Sequence, residues 1–124
     1  MTAETEFAMR YLLLIYTDEK KDLTPADPGF GEMMTGYRAF TDEVKRNGAH
    51  MAGEPLQSVT TATTVRVRDG KTMITDGPFA ETREQLGGFY MLDCKNLDEA
   101  TAYAAKIPGA QYGSIEVRPI MELG

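Results

Sequence analysis

The segment Tyr11-Leu12-Leu13-Leu14-Ile15-Tyr16 is apolar at every position, a pattern that suits a strand covered on both faces. Phe89-Tyr90-Met91-Leu92 repeats it. Between them the period changes. Met33, Tyr37, Phe40 and Val44 recur at steps of four, three and four residues, the spacing of one helical face, so a helix is expected from about Glu32 to Asn47. Lys45 and Arg46 suit its C-terminal dipole, and Gly48 suits the left-handed cap. The charge-, Pro- and Gly-rich stretch Thr17 to Gly31 reads as a loop with a turn at Thr24-Pro25-Ala26-Asp27. A short strand is expected over Ala49 to Ala52, before Gly53-Glu54-Pro55-Leu56.

In Thr63-Thr64-Val65-Arg66-Val67-Arg68 the valines alternate with polar residues, predicting a strand with one wet face. Asp69-Gly70 is a strong two-residue hairpin signal, because a type I′ turn needs positive φ at both central positions. Thr72 to Thr75 then forms the return strand and Asp76 to Gly87 a loop. Asn96-Leu97-Asp98-Glu99 has the form of a capping box. Ala100, Tyr103, Ala104 and Ile107 continue a helical face that Pro108-Gly109 ends, and Ser114 to Pro119 alternates as a half-exposed edge strand.

The order β-α-β, hairpin, β-α-β predicts an α+β fold of ferredoxin-like, split β-α-β topology with an inserted β-hairpin. The first and third main strands are central in that topology, and they are the two read as apolar on both faces. Two helices cover one face of such a sheet. The other face is expected to meet a second copy, giving a homodimer with barrel-like α+β packing. Residues 1–8 are expected to be a flexible leader and residues 9–124 one domain.

Composition narrows the function classes. The chain has 124 residues, 42% of them hydrophobic and 26% charged, as in ordinary globular domains. A net charge of −6 with no long Lys/Arg run disfavours nucleic-acid binding. The lone Cys94 forbids an internal disulfide, the N-terminus is acidic where a signal peptide is basic, and no apolar run is long enough to span a bilayer. The cytoplasm, with no membrane partner, is therefore expected. One histidine and one cysteine cannot build a four-ligand zinc site, and neither metal nor cofactor is expected. Nucleotide-binding glycine motifs and the nucleophile elbow are also missing.

His50, the single imidazole, is a tempting acid/base group by its chemistry, but in a short strand beside Met51 it reads more simply as a hydrogen-bonded or exposed residue. The most distinctive passage is Asp76-Gly77-Pro78-Phe79-Ala80-Glu81-Thr82-Arg83-Glu84. Asp-Gly-Pro forces a sharp turn. Two carboxylates beside an aromatic ring and an arginine suit a polar small molecule. Equally, Asp76 could cap the turn, Phe79 plug the core and the charges be solvated. Asp76 and Glu54 are the candidate proton-transfer groups, and Tyr16, Tyr37, Phe79, Glu81 and Arg83 the candidate ligand contacts.

Asp76-Gly77-Pro78-Phe79-Ala80-Glu81-Thr82 resembles the signature of the DGPF-type branch of the YCII-related family. It is accompanied by the Tyr11–Tyr16 strand, Gly53-Glu54-Pro55-Leu56, the Thr-Val-Arg-Val-Arg-Asp-Gly hairpin and Gly87-Gly88-Phe89-Tyr90. The resemblance runs from Met9 to Met121 and implies a ferredoxin-like fold dimerised through its sheets. It does not imply a reaction. The His-Asp pair credited with activity in the wider family has its histidine in the first helix, where this chain offers Tyr37 or its neighbours and no histidine. Two functions are therefore carried forward. The first is a small-molecule-binding protein or enzyme with a pocket near the dimer interface. The second is a non-catalytic interaction module linked to transcription through a sigma factor, as some members are named.

Overall fold

The computed structural model describes residues 9–123, so the expected leader lies outside the described residues. β1 spans Met9–Thr17, α1 Phe30–Arg46, β2 His50–Pro55, β3 Thr63–Arg68, β4 Lys71–Asp76, β5 Gln85–Cys94, α2 Leu97–Ala104 and β6 Ser114–Pro119. Short 3₁₀ turns lie at Glu19–Lys21, Val59–Thr61 and Pro108–Gln111. The main sheet has the order β2-β5-β1-β6 with every pairing antiparallel, and β3-β4 stand apart as a two-stranded ribbon. The strands apolar on both faces, β1 and β5, take the two central places, as the split β-α-β reading requires.

Alternation sorts each central strand into two faces. Tyr11, Leu13 and Ile15 of β1 join Tyr90, Leu92 and Cys94 of β5 in the core beneath the helices, with Phe40 and Val44 of α1 and Ala100 and Ala104 of α2. Leu13, Leu92 and Val44 are fully buried. Leu12 and Leu14 pair with Met91 and Phe89 on the opposite face. These four are only half-buried, because both helices pack on the other side.

Local chemistry accounts for the boundaries. The Asn96 side chain accepts a hydrogen bond from Glu99 N at 2.9 Å, and Glu99 Oε1 accepts one from Lys95 N at 3.1 Å. The expected box thus closes one residue earlier than its usual form. Asp27 Oδ2 accepts from Thr24 N at 2.7 Å and holds the turn leading to α1. That helix starts at Phe30, two residues before the expected start. Asp69 (φ 51°) and Gly70 (φ 72°) both adopt the left-handed conformation the hairpin turn needs.

Two expectations change. β2 runs to Pro55 instead of ending at Ala52, because Gly53, Glu54 and Pro55 pair with Tyr90, Phe89 and Gly88 of β5. The hairpin was expected to have one wet face, and both are wet. Val65, Val67 and Ile74 share one side and are 59%, 58% and 69% exposed. Among the described residues, no third strand joins the ribbon and its apolar side chains stay exposed.

Candidate functional site

The apolar periodicity of α1 divides between two tasks. Phe40 and Val44 enter the core, whereas Met33 and Tyr37 line a cleft of about 510 Å³ bounded by α1, β2, β5 and the loop after β1. Met33, Tyr37, Thr41 and Lys45 follow one another at four-residue steps, forming a single ridge on the helix, and all four line the cleft. The ridge therefore passes from a thioether through two hydroxyls to an ammonium.

The opposite wall comes from β2 and β5. Two β2 residues, Met51 and Ala52, stand opposite Met91 alone, so β2 carries a bulge. Without it His50 and Gly53 would point to opposite faces. With it both pair with helix-facing residues, Leu92 and Tyr90, and both line the cleft. Gly53 is required by close approach, since a Cβ there would lie 2.8 Å from Cδ1 of Tyr90. The Tyr90 ring packs edge-on against Phe40, with centroids 4.9 Å apart. Its hydroxyl and Thr41 Oγ1 are hydrogen-bonded at 2.8 Å. The His50 ring stands 6.4 Å from that of Tyr90.

The mouth is organised by Glu19. Its carboxylate accepts from Val59 N at 3.1 Å and from the Ser58 hydroxyl at 3.4 Å, while its own N–H donates to Gln85 Oε1 at 2.9 Å. The loop after β1 is thereby tied to the segment after β2. Burial raises the pKa of the Tyr37 hydroxyl, opposed by a hydrogen bond with the Gly109 backbone. Among the described residues, no group of three or more His, Cys, Asp or Glu side chains is arranged to hold a metal ion. No described helix is long and apolar enough to cross a membrane.

Of the residues expected to form a site, Tyr37 and Glu54 line this cleft. Tyr16 does not. It follows Ile15 on β1 and alternates to the open face of the sheet, so it does not reach inward as expected. Asp76, Phe79, Glu81 and Arg83 are exposed and outside the cleft lining. Phe79, 77% exposed, does not plug the core. Nor does the Asp76 side chain hold the turn. There Gly77 N donates to Ala62 O at 2.7 Å, and Thr64 Oγ1 donates to Gly77 O at 2.8 Å. Glu84 turns away from the loop and accepts from the Ser114 hydroxyl at 2.9 Å.

Thr41, Lys45 and Tyr90 were not singled out by sequence reasoning, and His50 was read as ordinary. The four-residue ridge was the available signal for the first two, whereas the bulge that turns His50 inward has no local signature.

The YCII-related domain model matches residues 9–124. The chain is 38% identical over 114 residues to an uncharacterised protein of Rhizobium meliloti (strain 1021), covering 90% of this chain and 92% of that protein.

Proposed function

This chain belongs to the YCII-related family, and on that premise we propose that it is a small-molecule-binding protein of the DGPF-type branch, working as a cytoplasmic homodimer with its ligand in the cleft beside α1. The observation that carries this reading is the convergence of Thr41, Tyr90, His50 and Lys45 on a mostly apolar wall, the usual make-up of a small-molecule site. If the cleft is catalytic, proton transfer falls to Tyr37, whose phenol lines it, whereas Glu54 borders the cleft but pairs with Phe89, so its carboxylate alternates to the other face of the sheet. Asp76, Phe79, Glu81 and Arg83 join such a site only if the hairpin of a second copy brings them to it.

The dimer is supported by Leu12, Leu14, Phe89 and Met91, an apolar patch that neither helix covers. The exposed side of the hairpin adds a second uncovered surface. A monomer by light scattering at low micromolar concentration would remove the dimer from the proposal.

A thermal-shift screen against small metabolites tests the ligand. A compound at a hundredfold excess over its Kd adds about 2.7 kcal/mol, which moves the midpoint by several degrees. The expected hits weaken in Thr41→Val and Tyr37→Phe. If no compound shifts the midpoint, the reading fails, and the exposed hairpin face becomes the guide to a non-catalytic partner in transcription.

A further inference from the structure

The geometry points to a ligand class: a small amphipathic carboxylate, its anionic head at the Lys45–His50 end of the cleft and its apolar body along Met33 and Leu23. This rests on the reading of the cleft as a ligand site.

The charged groups of the cleft are segregated. Its carboxylates Asp18, Glu19 and Asp22 follow the end of β1, where Thr17 pairs with Gln85. His50 instead pairs with Leu92. Seven steps along β5 separate the two levels, roughly 23 Å at strand spacing. The three carboxylates are also engaged. Asp18 accepts from Lys20 N at 3.1 Å, Asp22 from the Thr17 hydroxyl at 3.2 Å, and Glu19 ties the mouth together. The remaining carboxylate, Glu54, pairs with Phe89 and alternates to the other face of the sheet.

At the far end the donors are unspent. Among the described residues Lys45 has no ion pair and His50 no side-chain hydrogen bond, and the two ion pairs present are Arg10–Glu122 and Lys106–Glu43. Thr41 and Tyr90 bring two hydroxyl protons to one mutual hydrogen bond. Whichever oxygen donates, the other keeps its proton free for a guest. An ammonium, an imidazole and one free hydroxyl proton thus face the same end without a carboxylate among them. A carboxylate head satisfies all three, and charge-assisted hydrogen bonds are stronger than neutral ones. The thioethers and Leu23 give the other end its apolar surface, and its three carboxylates against one ammonium leave it net negative. Lys21 there lies between Glu19 and Asp22 in the chain.

The test is an isotope-edited NMR titration of the full-length protein with phenylalkanoates of two to eight chain carbons and with their primary amides. The carboxylates should bind about tenfold more tightly than the matched amides, the effect of one charged contact, and should shift the Thr41, His50 and Tyr90 resonances. Lys45→Met should remove most of that ratio and His50→Gln part of it, with amide affinity unchanged. Lys45 is exposed, so Lys45→Glu should keep the fold and reverse the preference. If acids and amides bind alike and Lys45→Glu changes nothing, the anionic head is wrong and the cleft reading stands. If neither series moves a cleft resonance, both fail.

Discussion

The central strands and the β3–β4 hairpin draw on the same kind of residue and meet opposite fates. Leu13 of β1 and Leu92 of β5 are fully buried, whereas Ile74 and Val65 of the hairpin are 69% and 59% exposed. The difference lies in neighbours. β1 and β5 are flanked by strands on both sides and covered by helices on one face. The ribbon has two strands and, among the described residues, no cover, and an isolated ribbon of that kind is marginal in water. It is held at its base by the Ala62, Thr64 and Gly77 hydrogen bonds. Arg66 adds a contact to the Phe79 carbonyl at 3.4 Å. A β-prone alternating sequence therefore secures a strand's form but not its burial.

That contrast can be pressed at several points. The largest effect is expected at Leu13→Ala, which empties a fully buried site and should cost about 2–5 kcal/mol in urea unfolding. Val67→Ala in the hairpin should fall within about 0.5 kcal/mol. A cost at Val67 comparable to that at Leu13 would mean that the hairpin is covered in solution, as a dimer partner would cover it.

Gly53→Val comes next. Its side chain would displace the Tyr90 ring from the cleft wall, with an expected loss of about 1–3 kcal/mol and a changed near-ultraviolet tyrosine signal. Native stability with an unchanged tyrosine signal would mean that β2 can move aside.

Gly70→Val places a β-branched residue at φ 72°, a conformation such residues resist. Amide exchange should accelerate over residues 63–76 and leave Leu13 and Leu92 protected. Loss of protection in the core as well would join the two regions into one cooperative unit.

The last effect is confined to alkaline solution. Burial pushes the Cys94 thiol up to about 11 from an ordinary value of 9.0. The folded protein then holds a proton that the unfolded chain releases, so Cys94 lowers stability as pH rises from about 9 to about 11 and has no effect below. Cys94→Ala should flatten that part of a plot of melting midpoint against pH. An unaltered slope would assign it to another group, such as the half-buried Tyr37 hydroxyl, whose pKa is also raised.

Legibility in the sequence followed the range of the interaction. β6 matches its expected bounds, Ser114–Pro119, because alternation and the Pro108-Gly109 stop are local. The Asp69-Gly70 turn and the Asn96 cap were readable for the same reason. β2 was read too short because Gly-Glu-Pro carries no strand preference of its own and is strand only through β5. The conspicuous Asp76–Thr82 run illustrates the converse. Its residues mark a turn, and none of them lines the cleft.

From sequence alone, this chain determines where its helices and strands lie, which strands are central and how its tightest turns close, since each depends on φ, ψ and periodicity within a few residues. The tertiary structure decided which polar side chains meet. His50 faces inward only through a bulge defined by pairing with Met91. Thr41 meets Tyr90 across 49 residues of chain. Such convergence is set by long-range register and by which face the helices cover, and neither is written in any short stretch of residues.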